Sequence, residues 1–174
     1  LKCVGYNNAG QLGDGDTTTR CTTGGSTCIS SLPAVDVGAG RTVLKIAGGG
    51  YHTCVILDNS TVKCWGYNAH GQLGLGDTTA RCGAGGTTCV NALPTVNLGT
   101  GRTAKEISAS YYHVCAIMDN NQIKCWGYNG YGELGTGNTT YNCNTVPSCG
   151  DGMPQINLGA GRTALSIQVG QHSS

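Results

Sequence analysis

The sequence predicts an all-β protein of three tandem β-propeller-type blades of about 61 residues, each with four short antiparallel strands, open rather than closed within the chain. Three observations predict it: an internal repeat, apolar β-prone runs broken by Gly-rich turns, and a composition hostile to helices. Gly supplies 30 of 174 residues, well above the usual ~7%, and a helix-interior Gly costs about 1 kcal/mol. The 39% apolar share argues for a packed chain and against disorder.

The repeat fixes the organisation. Cys3, Cys64 and Cys125 are spaced by 61, as are Gly5, Gly66 and Gly127, and Tyr6, Tyr67 and Tyr128. A string K-C-x-G-Y-N-x-x-G-[QE]-L-G-x-G-[DN]-T-T begins at Lys2, Lys63 and Lys124. A second, P-x-[VI]-[DN]-[VL]-G-x-G-R-T, begins at Pro33, Pro94 and Pro154, and a third places His52, His113 and His172 in register. The copies are residues 1–61, 62–122 and 123–174, the first starting and the last stopping in mid-blade. Aligning Ser174 with Cys54 and Leu1 with Val62 puts the two ends on opposite arms of one hairpin, as expected of a piece of something longer.

Within a copy, Thr42 to Ile46 and His52 to Leu57 read as strands, Asp58-Asn59-Ser60 as the turn, and Thr61 to Tyr67 as the returning arm. Pro94 to Leu98 reads as a fourth strand. Four strands per repeat without helical period match a propeller blade; a stacked β-solenoid has a shorter repeat and ranks second.

The segments Trp65 to Gly76 and Trp126 to Gly137, W-G-x-N-x-x-G-[QE]-L-G-x-G, resemble the signature of regulator-of-chromosome-condensation repeats. Val4 stands where the first copy would carry Trp. The resemblance implies propeller blades, usually closed into a seven-bladed ring. It leaves function open, because members include a nucleotide-exchange factor that binds chromatin and a secreted β-lactamase inhibitor. No functional residue carries over.

The 11 cysteines point outside the reducing cytosol. Cys54 and Cys64 are equidistant from Asn59, and Cys115 and Cys125 from Asn120, so each pair faces across a hairpin at disulfide range. Cys21/Cys28, Cys82/Cys89 and Cys143/Cys149 bracket short polar excursions that a local bridge pins. Each small-loop bridge contributes roughly 2–3 kcal/mol. Zinc is the rival reading through His52 and His113, but no C-x₂-C cluster supports it. Cys3 is left over, implying either intermolecular linkage or a partner outside this stretch.

Other candidates read as structural. A histidine recurring once per copy is a packing residue rather than a catalytic one, and His70 is a loop residue. G-x-G-R-T lacks the third Gly and the helix of a phosphate-binding fingerprint; Arg41, Arg102 and Arg162 cap carbonyls or cover blade edges. Trp65 and Trp126 wedge between blades. Tyr6, Tyr67 and Tyr128 either pack or line a sugar site. Asn59 and Asn138 head N-glycosylation sequons in exposed turns.

With no catalytic grouping, no cofactor or metal motif, no basic stripe for nucleic acid and no apolar run of membrane-spanning length, the expectation is a non-catalytic extracellular structural or adhesive repeat protein. It assembles head-to-tail, with copies of itself or with further repeats of the same chain, by strand complementation at its ends. The alternative is a fragment of a closed seven-bladed secreted propeller acting as a protein-binding or inhibitor module.

Overall fold

In the computed structural model, which describes residues 1–23 and 27–170, two three-stranded antiparallel sheets of matching build follow one another. The first holds β1 (Val43–Gly48), β2 (His52–Leu57) and β3 (Val62–Gly66) in that order; the second holds β4 (Ala104–Ala109), β5 (His113–Met118) and β6 (Ile123–Gly127). Each sheet straddles a boundary between sequence copies. His172 and Ser174 lie outside the described residues.

The middle strands, His-Thr-Cys-Val-Ile-Leu and its counterpart, are buried at every position. A continuous apolar run of this kind means that both sheet faces are covered. On β2, Cys54 and Ile56 face a core shared with Val114, Ala116, Met118 and Trp126 of the second sheet. Val55 and Leu57 face the opposite way, onto Val35, Val37 and Val90. On β5, Cys115 and Ile117 face a third core with Leu134 and Ala164. The side-chain period of two therefore assigns alternate residues to successive inter-sheet cores.

The two end segments repeat single backbone bonds of the complete sheets. Val35 N–H donates to Leu1 O at 2.9 Å, just as Val96 N–H donates to Val62 O at 2.8 Å, so Leu1–Gly5 stands in the position of a β3 strand. Ala164 N–H donates to Asn121 O at 3.1 Å, the counterpart of Ala104 N–H to Ser60 O at 2.9 Å, so the segment from Ala164 stands where a first strand begins. The arrangement is an open row of propeller blades.

Two features depart from the sequence expectation. The fourth strand is reduced to an extended segment joined to β3 by the single Val96–Val62 bond, and in the next sheet by Ile156 N–H to Ile123 O at 3.0 Å. Pro94 has no N–H to give a ladder, and Asn97 Oδ1 accepts the Gly99 N–H at 2.9 Å, turning the chain away. The polar excursions also contain one-turn helices, α1 (Cys28–Ser31) and α2 (Cys89–Ala92).

Lysine ammonium groups hold these parts together. Lys63, buried, donates through Nζ to Val37 O (3.2 Å), Val90 O (3.0 Å) and Asn91 O (2.9 Å). It thereby caps the carbonyl end of α2 and ties it to the preceding blade. Lys124 repeats the role on Leu98 O (3.0 Å) and Gly150 O (2.7 Å). Lys2 reaches Ile29 O (3.1 Å) and Ser30 O (2.9 Å). Burial pushes the Lys63 ammonium below its ordinary pKa, with Asp36 opposing the shift.

Lys63→Met keeps the stem and strands three carbonyls. It is expected to cost about 2–3 kcal/mol in urea unfolding, with Lys2→Met costing measurably less because Lys2 is exposed.

Candidate functional site: a tyrosine face and an open sheet edge

Each copy carries a fully buried asparagine that shapes the loop after β3 or its equivalent. Asn68 Oδ1 accepts the Leu73 N–H at 2.9 Å, while its Nδ2 donates to Asp77 O (2.9 Å) and Thr79 O (3.1 Å). Asn7 and Asn129 do the same in their copies. Loops pinned this way approach the neighbouring blade closely. A Cβ on Gly71 (φ +78°) would come within 2.6 Å of the Cys143 carbonyl oxygen, and one on Gly10 (φ +77°) within 2.3 Å of that of Cys82. Only glycine combines that φ with that clearance.

Blades also interlock through tryptophan. Trp65 and Trp126 are fully buried, and their indole N–H groups donate at 3.0 Å to the carbonyls of Gln11 and Gln72 in the preceding copy.

These pinned loops and the β1–β2 and β4–β5 turns bring the chain's eight tyrosines into one connected network of ring contacts. Five form a row, Tyr6–Tyr51–Tyr67–Tyr112–Tyr128, with successive centroids 6.1, 6.3, 6.1 and 6.3 Å apart. Their planes are inclined by 51–64° along the row. Tyr111 bridges Tyr51 and Tyr112, and its hydroxyl donates to Tyr51 Oη at 3.1 Å. That bond raises the Tyr51 pKa, and desolvation raises that of Tyr128. Both hydroxyls therefore keep their protons at neutral pH.

His70, read from sequence as a loop residue, lies among Tyr67, Tyr112, Tyr128 and Tyr141 at centroid distances of 6.3, 5.1, 5.0 and 5.7 Å. Desolvation lowers its pKa. The sequence did hold a signal, since the counterpart of His70 one repeat on is the aromatic Tyr131.

The second feature is the edge at Leu1–Gly5. In the complete sheets Cys54 pairs with Cys64 and Cys115 with Cys125 across the hairpin, each with Cα atoms 4.1 Å apart and sulfurs at bonding distance. Cys3 holds the same position but has no such partner among the described residues. Burial raises its thiol pKa, outweighing the opposing effect of the N-terminal charge. Beside it runs a groove of about 410 Å³ lined by Cys3, Val4, Tyr6, Ile46 and His52, among others. Ile46 is 52% exposed, whereas its counterpart Ile107, covered by the preceding blade, is 8% exposed.

The local cysteine pairs, Cys21–Cys28, Cys82–Cys89 and Cys143–Cys149, also lie at bonding distance, with Cα separations of 5.7, 5.5 and 4.6 Å. The first member of each sits in left-handed backbone, at φ 64°, 68° and 60°. Arg41 and Arg102 do not cap carbonyls; they pair with the hairpin carboxylates of Asp58 (3.2 Å) and Asp119 (3.1 Å). Asn59 and Asn138 are exposed, each accepting through Oδ1 the N–H of the residue two places on. No helix among the described residues is long and apolar enough to cross a membrane.

The Regulator of chromosome condensation (RCC1) repeat matches in two family profiles, one at residues 43–72 and 104–133 and the other at 61–117. The chain belongs to the RCC1 repeat family. It is 28% identical over 137 residues to the ultraviolet-B receptor UVR8 of Arabidopsis thaliana, covering 78% of this chain and 27% of that one. It is 31% identical over 144 residues to the X-linked retinitis pigmentosa GTPase regulator of Canis lupus familiaris, covering 82% and 13%. This RCC1-repeat chain thus spans about a quarter or less of those relatives. Among solved structures it superposes on yeast RCC1 (Prp20) with a TM-score of 0.58 and 17% identity, over 96% of this chain and 35% of that one. Human WBSCR16 gives 0.56 and 18%, over 85% and 34%. At such identities the likeness is one of fold.

His52 gives this site a measurable pH dependence. Both its ring nitrogens are buried without a partner, because Gly49 stands where Ser110 serves His113 through a 2.6 Å contact. Desolvation, with a smaller contribution from His113, pushes its pKa down to about 3. Below the unfolded-state pKa of about 6.5 the unfolded chain takes up a proton that the folded chain refuses. This stabilisation is complete above about pH 6.5 and is lost as pH falls toward about 3. Urea unfolding is expected to show a loss of about 2 kcal/mol from this residue between pH 7 and 5, which His52→Gln removes.

Proposed function

We propose that the chain is part of a secreted, non-catalytic propeller that works as a protein-binding module, its part-sheets completed by further blades. The observation that carries this reading is the fold match, which lays 96% of this chain on 35% of yeast RCC1, with Cys3 in the register where two complete sheets place a cross-hairpin cysteine pair. The repeat copies, residues 1–61, 62–122 and 123–174, are then sequence units whose blades are finished by their neighbours.

The completing blade belongs either to the same chain, giving a closed ring, or to another copy, giving head-to-tail assembly. The ring is favoured because the chain matches about a third of the RCC1 structures over nearly its own full length. The five cysteine pairs at bonding distance support an oxidising, extracellular setting. In such a setting the exposed sequons at Asn59 and Asn138 are open to glycan.

Non-reducing peptide mapping of the native protein is expected to return the five local pairs, and Cys3 joined to a cysteine of another blade. Rapid alkylation of Cys3 in the folded native protein would argue against completion at that edge. Intact mass and negative-stain images then separate the two modes of completion: single small rings match the closed form, and filaments match end-to-end assembly.

A further inference from the structure

Asn129 opens the sole Asn-Gly step in the 174 residues, and it is also the hub of its loop. We infer that position 129 is a one-way modification site: the closed loop shields it from deamidation, and the deamidated product keeps the loop open. Such a site exists whatever the chain binds.

The chemistry is intrinsic to the dipeptide. The Gly130 backbone nitrogen attacks Cγ of Asn129 and a C–N bond forms. The side-chain Nδ2 leaves as ammonia, taking the proton of the Gly130 N–H. Water then opens the five-membered imide at either carbonyl and leaves an aspartyl or isoaspartyl residue. Glycine makes the step fast, because it has no Cβ to crowd the attacking nitrogen and its backbone reaches the cyclising conformation freely. The fold retains Gly130 for its own reason, since a Cβ there would run into the Tyr128 hydroxyl.

The closed loop blocks this step. Asn129 is fully buried, which keeps out the water that hydrolysis needs. Its Oδ1 accepts the Leu134 N–H at 2.9 Å, and its Nδ2 donates to Asn138 O and Thr140 O, each at 2.9 Å. These bonds hold the carboxamide to residues 134–140 and must break before Cγ can meet the Gly130 nitrogen.

The other two copies are internal controls. Their hubs, Asn7 and Asn68, bond to the same three positions but are followed by Asn8 and Ala69. Ion pairs also tie their loops, Arg20 with Asp14 and Asp16, and Arg81 with Asp77. In the third copy Asn138 and Asn142 stand in the places of Asp77 and Arg81, so neutral side chains replace that pair. The labile step thus falls in the loop with the weaker tie, and residues 128–141 hold no strand or helix. Segments of this kind open locally at less cost than global unfolding.

The product does not refit. A carboxylate has no hydrogen to give Asn138 O and Thr140 O, and its charge would lie buried against two carbonyl oxygens. The isoaspartyl form also adds a methylene to the backbone. The loop carries Tyr128, Tyr131 and Tyr141, whose rings are in contact, so that part of the tyrosine face loosens with it.

The test is a timed incubation of the intact, disulfide-bonded chain at neutral pH, folded and in concentrated guanidinium chloride. Peptide mapping then reads the amide-to-acid mass gain and isoaspartate. In guanidinium, Asn129 is expected to deamidate about tenfold faster than Asn7 or Asn68. In the folded chain its rate is expected to fall by about a hundredfold, the closure expected of three hydrogen bonds of ordinary net strength. Protein aged in guanidinium and returned to native buffer is then digested briefly with chymotrypsin. The modified fraction is expected to be cut after Leu134, which is fully buried in the closed loop, and the unmodified fraction to resist there. The equivalent bond after Leu73, also fully buried, is expected to resist in both, which separates loop opening from failure to refold. Equal Asn129 rates in the folded and denatured chain overturn the proposal. So do Asn7 or Asn68 keeping pace with Asn129 in guanidinium, resistance at Leu134 after modification, and cleavage at Leu73 matching that at Leu134.

Discussion

Everything in this fold depends on one constraint: a small sheet with two apolar faces has no stable existence until both are covered. β2 and β5 bury every residue, so each blade is half of two cores. The contacts that join blades are therefore the ones that define the molecule. The indole of Trp65 reaches back to Gln11 O, and the ammonium of Lys63 spans from Val37 O to the end of α2. A buried ammonium is tolerated because three carbonyls replace its water. The same logic accounts for the exposed Ile46, whose counterpart Ile107 is covered by the preceding blade.

The tyrosine face follows from the same repetition. The buried asparagines fix the loops after β3 and β6, and the turns before β2 and β5 lie beside them, so aromatic residues at loop positions in successive copies form a row crossing from blade to blade. His70 belongs to that row although its copy-one counterpart is Ala9. The loops of this face are held by the asparagine hubs and the close glycine approaches rather than by regular secondary structure.

Membership of the RCC1 repeat family sets the blade architecture but not the chemistry of any one face, since the loops carry it. The cysteine pairs lie in two parts of each repeat, the hairpin and the long polar excursion. In the excursions they hold Cys21, Cys82 and Cys143 in left-handed backbone, a conformation that costs about 1–3 kcal/mol unless its surroundings enforce it.

The sequence by itself determined the repeat, the hairpins and their arms, the buried tryptophans and the register that sets Cys54 opposite Cys64, because all of these are local patterns of period two or 61. It mistook Pro94 to Leu98 for a strand and read Arg41 and Arg102 as carbonyl caps or blade-edge cover, because a lysine 26 residues away takes the Leu98 carbonyl and a hairpin carboxylate takes each guanidinium. Only the tertiary structure decided that Lys2, Lys63 and Lys124 are blade ties, that His52 lacks the serine its counterpart enjoys, and that eight scattered tyrosines are neighbours. Those facts depend on where one blade meets the next, and the packing of two sheets face to face leaves no trace in the spacing of residues along either.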